Sequence, residues 1–109
     1  MAAAHALDVL LHAVGDPRRR AVFERVSRSR GISVSDLTAG SGVTQGAISQ
    51  HLKVLKDAGL VVGEAKGRHV YYRAEPQALT PLVDWLGHYE LFWRDRMVEL
   101  RKLLSEIEG

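Results

Sequence analysis

The sequence predicts a mainly helical α+β domain, dimeric, in which one small β-hairpin interrupts a run of helices in the order α-α-α-α-β-β-α. Apolar residues recur at helical spacing up to residue 58 and again beyond residue 80. Between Leu60 and Ala74 the period shortens, and "LVVGEA" and "RHVYYRA" flank "KG", the pattern of two strands around a tight turn. The last helical stretch is long for a chain of 109 residues, so its surplus apolar stripe calls for a partner subunit.

Each element has its own local cause. Leu7, Leu10, Leu11 and Val14 follow the i, i+3, i+4, i+7 rule and give a first helix ending near Gly15. In "DPRRRAVFERVSRSRG", Asp16 is placed to cap a second helix with Pro17 at its first position, and Val22, Phe23 and Val26 form its buried stripe. "SVSD" has capping-box spacing, so Ser33 starts a short third helix that stops around Gly40 and Gly42. Thr44 caps the fourth, whose apolar face is Ala47, Ile48, Leu52, Leu55 and Ala58, with Gly59 at the left-handed terminal position. After the hairpin, Thr80 and Pro81 suit the start of a final helix of about 25 residues, lined by Leu82, Leu86, Tyr89, Trp93, Met97, Leu100, Leu104 and Ile107.

Composition narrows the function. Apolar content of 46% and charged content of 26% are those of a folding globular chain, and the lack of cysteine removes disulfides, thiolate metal sites and thiol redox chemistry. No segment approaches the roughly 18 apolar residues of a membrane span, and the apolar start is broken by His5, Asp8 and His12, so a cytoplasmic protein without membrane contact is expected. Net charge is only +2, but it is unevenly spread. Residues 1–73 carry 11 Lys/Arg against 6 Asp/Glu, whereas residues 74–109 carry 4 against 7. One surface of the molecule is therefore suited to a polyanion. No G-x-S-x-G, H-E-x-x-H or phosphate loop is present, so the chain does not read as an enzyme.

The two short helices joined by "GSGV" form a helix-turn-helix candidate. Gln45, Ser49 and Lys53 succeed one another at i+4 on the second of them, with Gly46, Gln50 and Lys56 beside them. Short and amide-bearing side chains of this kind suit the major groove, where donors and acceptors must reach base edges while the backbone comes close. Thr44 and the helix N-terminus can take one phosphate, and Lys53, Lys56 and Arg68 can take others. The hairpin beside the helix can act as a wing, with Lys66, Arg68 and His69 at its tip.

These residues resemble the ArsR/SmtB family of winged-helix repressors. The resemblance rests on "GDPRRRAVFERV" at 15–26, "TQGAISQHLKVLKDAGLV" from Thr44 and "GRHVYYRAEP" at 67–76, and it covers nearly the whole chain. It implies a homodimer built from the first and last helices, a palindromic double-stranded operator, and usually repression relieved by an effector. The branch this sequence resembles is that of members which lack metal ligands and act as autorepressors. Carried over by residue, Gln45, Ser49 and Gln50 face bases, Thr44, Lys53 and Arg68 face phosphates, and Lys66 to His69 enter a neighbouring minor groove. His51 is assigned to the DNA-binding set with packing as its alternative role. The dimer interface is assigned to Leu7, Leu10, Leu11, Leu82, Leu86, Tyr89, Trp93, Met97 and Leu100. By the same division, residues 1–14 and 80–107 dimerise, 33–58 form the helix-turn-helix and 60–74 the wing.

The sequence departs from the metal-sensing members. Where they carry "CVCDL" this chain has "SVSDL", with Ser33 and Ser35 in place of the sulfurs, and hydroxyls are poor ligands for soft metals. The D-x-H…H-x-x-E pattern of the last helix is also missing, Met97 and Leu100 standing at its later places. No cofactor and no metal of either familiar type is expected. Two sensing alternatives stay open: a non-standard metal site from Asp84 and His88 with Asp95 and Glu99, and a pocket for a small apolar effector along "WLGHYELFW". A winged-helix module for protein–protein contact is the remaining rival to DNA binding.

Overall fold

A computed structural model describes residues 2–108, with side chains from residue 5 to residue 107. The elements run α1 (Ala2–Gly15), α2 (Pro17–Ser27), β1 (Ile32–Ser33), α3 (Val34–Thr38), α4 (Gln45–Asp57), β2 (Val61–Lys66), β3 (His69–Ala74), a 3-10 turn (Pro76–Leu79), α5 (Thr80–Gly87) and α6 (Glu90–Glu108).

The caps expected from sequence set the helix starts. Asp16 accepts from the backbone N–H groups of Arg18 (2.9 Å) and Arg19 (3.3 Å), and Ser33 accepts from that of Asp36 (3.2 Å). The α4 helix ends in a Schellman motif: the Leu60 N–H donates to Leu55 O and the Gly59 N–H to Lys56 O, both at 2.9 Å, with Gly59 at φ 78°. That turn reverses the chain into β2, so the wing starts where the helix stops.

Two elements differ from expectation. The sheet has three strands in the order β1-β3-β2, all antiparallel, because Ile32 and Ser33 pair with Tyr72 and Tyr71 of the hairpin. The final helix is two helices, α5 and α6, broken around His88 and Tyr89. Glycine costs about 1 kcal/mol in a helix interior, and Gly87 sits where the N–H groups of His88 and Tyr89 turn back three residues to Trp85 and Leu86. Nor does Thr80 cap α5 from its side chain; its hydroxyl donates to Gln77 O at 2.6 Å instead.

The core lies between the helices and the inner face of the sheet: Leu10, Ala13, Val22, Val26, Leu37, Ile48, Leu52, Leu55, Leu60 and Val61. Fully burying each larger side chain contributes about 1.5–3 kcal/mol. Leu10 is only 2% exposed and belongs to this core, which removes it from the dimer interface assigned above. Leu82 also packs against it and is half-buried. The α6 helix adds nothing to the core: every residue of it whose burial is described is exposed. Its departure from the body explains a radius of gyration of 17.7 Å, against about 13 Å for a compact chain of this length.

Candidate nucleic-acid interface

The α4 helix is divided by burial into two faces. Ile48, Leu52 and Leu55 are buried in the core, whereas Thr44, Gln45, Gly46, Ser49, Gln50, Lys53 and Lys56 are exposed. The exposed set combines two amides, two hydroxyls and two ammonium groups on one rod, with a glycine near its start that lets the backbone approach a ligand closely. Thr44 Oγ1 accepts from the Ala47 N–H at 3.1 Å, which leaves its hydroxyl proton free to be donated outward, beside the unpaired N–H groups of the helix N-terminus.

His51 does not share this face. Its ring is half-buried, its Nδ1 is shut off from solvent without a hydrogen-bond partner, and it lies near enough to Asp16 to act on that carboxylate. Of the two roles given to His51 from sequence, packing toward the α2 N-terminus is the one this position suits. The Asp16 carboxyl is held below the usual carboxylate range, chiefly by the backbone N–H groups of Arg19 and Arg18, with smaller Coulombic help from the Arg19 guanidinium and His51.

The wing is a two-residue hairpin closed by the Lys66–His69 pair, with Gly67 at φ 63° and Arg68 at the turn. Lys66, Arg68 and His69 are all exposed there, as the sequence led one to expect. The pairing of Glu64 with Tyr71 and of Lys66 with His69 places these side chains, with Arg73, on the outer face of the sheet, while Val61, Tyr72 and Ala74 turn toward the core. A concavity of about 380 Å³ opens on that outer face, lined by Arg30, Gly31, Glu64, Lys66, Tyr71 and Arg73. Sequence reasoning passed over it because Arg30 and Arg73 are 43 positions apart and meet only through the β1–β3 pairing.

Not every arginine of the basic half is available to a polyanion. The Arg19 guanidinium donates to the carbonyls of His12 (3.1 Å) and Ala13 (3.4 Å), and that of Arg20 to Val14 O (2.8 Å), which caps the C-terminus of α1. Arg25 does the same for α3 through Leu37 O and Asp36 O, at 2.9 and 2.8 Å.

Of the residues that could sense a metal, Ser33 is buried and engaged as a cap, and the break after Gly87 takes His88 out of the helix that holds Asp84. Glu99 pairs with Arg96 at 3.4 Å. Among the described residues, no three His, Cys, Asp or Glu side chains come together as a metal site. Of the dimer-assigned residues, Leu11, Leu86, Tyr89, Trp93, Met97 and Leu100 are exposed and Leu7 is half-buried.

Comparison with known proteins decides the family. Residues 14–64, which run from the end of α1 into the wing, match a helix-turn-helix domain family. A helix-turn-helix-type transcriptional regulator of Mycobacterium tuberculosis, Rv2034, is 35% identical over 93 residues, 85% of this chain and 83% of that protein. An ArsR-like transcriptional regulator from Rhodococcus sp. RHA1 has a solved structure that superposes with a TM-score of 0.75 at 25% identity, covering 94% of this chain and 96% of that one. The chain belongs to the ArsR/SmtB family of helix-turn-helix transcriptional regulators. The SmtB repressor of M. tuberculosis is 40% identical over 80 residues, 72% of this chain but 58% of that protein's length, so the match spans little more than half of that family member. Among the described residues no helix is long and apolar enough to cross a membrane.

Proposed function

We propose that this ArsR/SmtB member is a repressor that binds a palindromic operator as a homodimer, with α4 in the major groove and the wing tip in the minor groove alongside. The observation that carries this reading is the division of α4 into a buried apolar face and an exposed amide, hydroxyl and lysine face. Gln45, Ser49 and Gln50 read base edges; Thr44, Lys53, Lys56 and Arg68 hold phosphates; Gly46 lets the backbone in; Lys66 and His69 flank the groove.

Residues 33–58 then act as the helix-turn-helix and residues 60–74 as the wing. The dimer is built from the terminal segments, 1–14 and 80–107, where Leu11, Leu86, Tyr89, Trp93, Met97 and Leu100 are exposed. An apolar surface that wide is rare on a monomer and signals an interface. An effector, where one acts, is a small molecule meeting the same aromatic segment.

Selection of bound fragments from a random duplex pool tests this directly. The selected sequences are expected to be inverted repeats whose half-site centres lie about one helical turn apart. Direct repeats, single half-sites or no enrichment at all would refute the reading.

A further inference from the structure

The outer face of the wing sheet carries the ingredients of a phosphate site away from α4, running from Lys66 at the hairpin tip back along the strands. Arg30 enters from the segment after α2, Lys66 from β2, and Tyr71 and Arg73 from β3, all lining the same concavity. Tyr71 is half-buried there, so its position is constrained by packing, while Arg30, Lys66 and Arg73 are exposed. Guanidinium forks match the oxygens of a phosphate, the Tyr71 hydroxyl adds a donor, and Gly31 keeps its share of the wall at backbone height.

Charge selects among phosphates. The three cations are opposed by Glu64 in the same concavity and by Glu75, which binds Arg73 at 2.6 Å. What remains is one net positive charge, the match for a phosphodiester rather than a doubly charged phosphate ester. Arg73 pairs with Val62, four residues back along β2 from Lys66, so the face between them is about 13 Å long and covers roughly four base steps of duplex.

We propose that this concavity takes a phosphodiester of the DNA lying outside the operator half-site, extending the footprint beyond the bases that α4 and the wing tip contact. The inference rests on the operator reading above and adds a contact that does not depend on sequence. Lys66 joins the tip to this face, Arg30 and Tyr71 clamp the phosphate, and Glu64 keeps the contact weak enough to release.

The test compares two duplexes carrying the selected operator: one cut at the outer edges of the half-sites, the other extended by about ten base pairs, one helical turn, at each end. Arg30→Ala is expected to weaken binding to the extended duplex about five- to tenfold and to lower the slope of log K against log salt by about 0.9. Glu64→Gln, which removes the opposing charge without touching a donor, is expected to tighten binding to the extended duplex about threefold. Neither variant changes binding to the trimmed duplex. Equal effects on both duplexes, or none on either, would overturn the proposal. So would saturable binding of inorganic phosphate at this face combined with indifference to the flanks, since that marks a free-anion site. A wild-type protein that binds neither duplex refutes the operator reading itself, and that result appears before any variant is made.

Discussion

Helices α4 and α6 are both amphipathic, yet they stand in opposite relations to the rest of the molecule. The apolar face of α4 is sealed into the core by Ile48, Leu52 and Leu55, so its polar face is the one on display. On α6 it is the apolar side chains that face solvent: Trp93, Met97, Leu100 and Leu104 are each 47–49% exposed. Periodicity alone would class the two helices together. What separates them is whether the body of the protomer supplies a surface to pack against. The first helix is therefore an element of the fold that offers polar groups outward, and the second an element whose apolar side the body of the chain leaves uncovered.

The largest expected effect comes from breaking the second relation. Leu100→Asp with Leu104→Asp should abolish the dimer in sedimentation velocity and with it operator binding, while circular dichroism of the body stays native, since α6 adds nothing to the core. A loss of all folded structure would show that α6 is needed within one chain. Leu55→Ala breaks the first relation: the side chain is fully buried, and its truncation should cost about 2–5 kcal/mol in denaturant unfolding. A cost below about 0.5 kcal/mol, the usual range for surface changes, would mean that α4 is not anchored as described.

Smaller changes sharpen the comparison on the display face. Lys53→Ala should weaken binding to every duplex alike, whereas Gln45→Ala should lower discrimination at a single base position by about 1–3 kcal/mol, read from competition gel shifts. Thr44→Ala removes the α4 cap and should cost roughly 1 kcal/mol of stability in thermal melts.

The smallest effect concerns pH. The Asp16 carboxyl is held below its ordinary value of 3.8 in the folded chain, so its contribution is present above about pH 3.8 and lost as pH falls through the lower folded value. Asp16→Asn, which keeps an acceptor at the cap, should flatten that acid limb in urea titrations between about pH 6 and 2, and an unchanged limb would assign it to other carboxylates.

Much of this was legible because its causes are local. Asp16 with Pro17, Ser33, Thr44 and Gly59 mark helix ends through bonds to residues within five positions, and Gly67 marks the hairpin turn by its own φ. What escaped depends on distant partners. Ile32 and Ser33 are a strand only because Tyr71 and Tyr72, 38 to 40 positions later, offer an edge. Leu10 and Leu11 fit one helical stripe, but the packing of the body buries the first and leaves the second 42% exposed. His51 sits among exposed polar residues in the sequence, and it is the approach of α2 that draws it inward. The arginines that cap α1 and α3 read as free charge until the carbonyls they meet are in view. The helix break had a local signal, Gly87, which the continuous apolar stripe on either side of it outweighed.

The most direct test is sedimentation velocity of the protein alone and with one equivalent of the selected duplex. The account predicts a dimer in free solution and two chains on each duplex, held through their terminal helices with an α4 in each half-site. A free monomer that adds one chain per duplex, or a dimer that ignores duplex DNA at low salt, would contradict it.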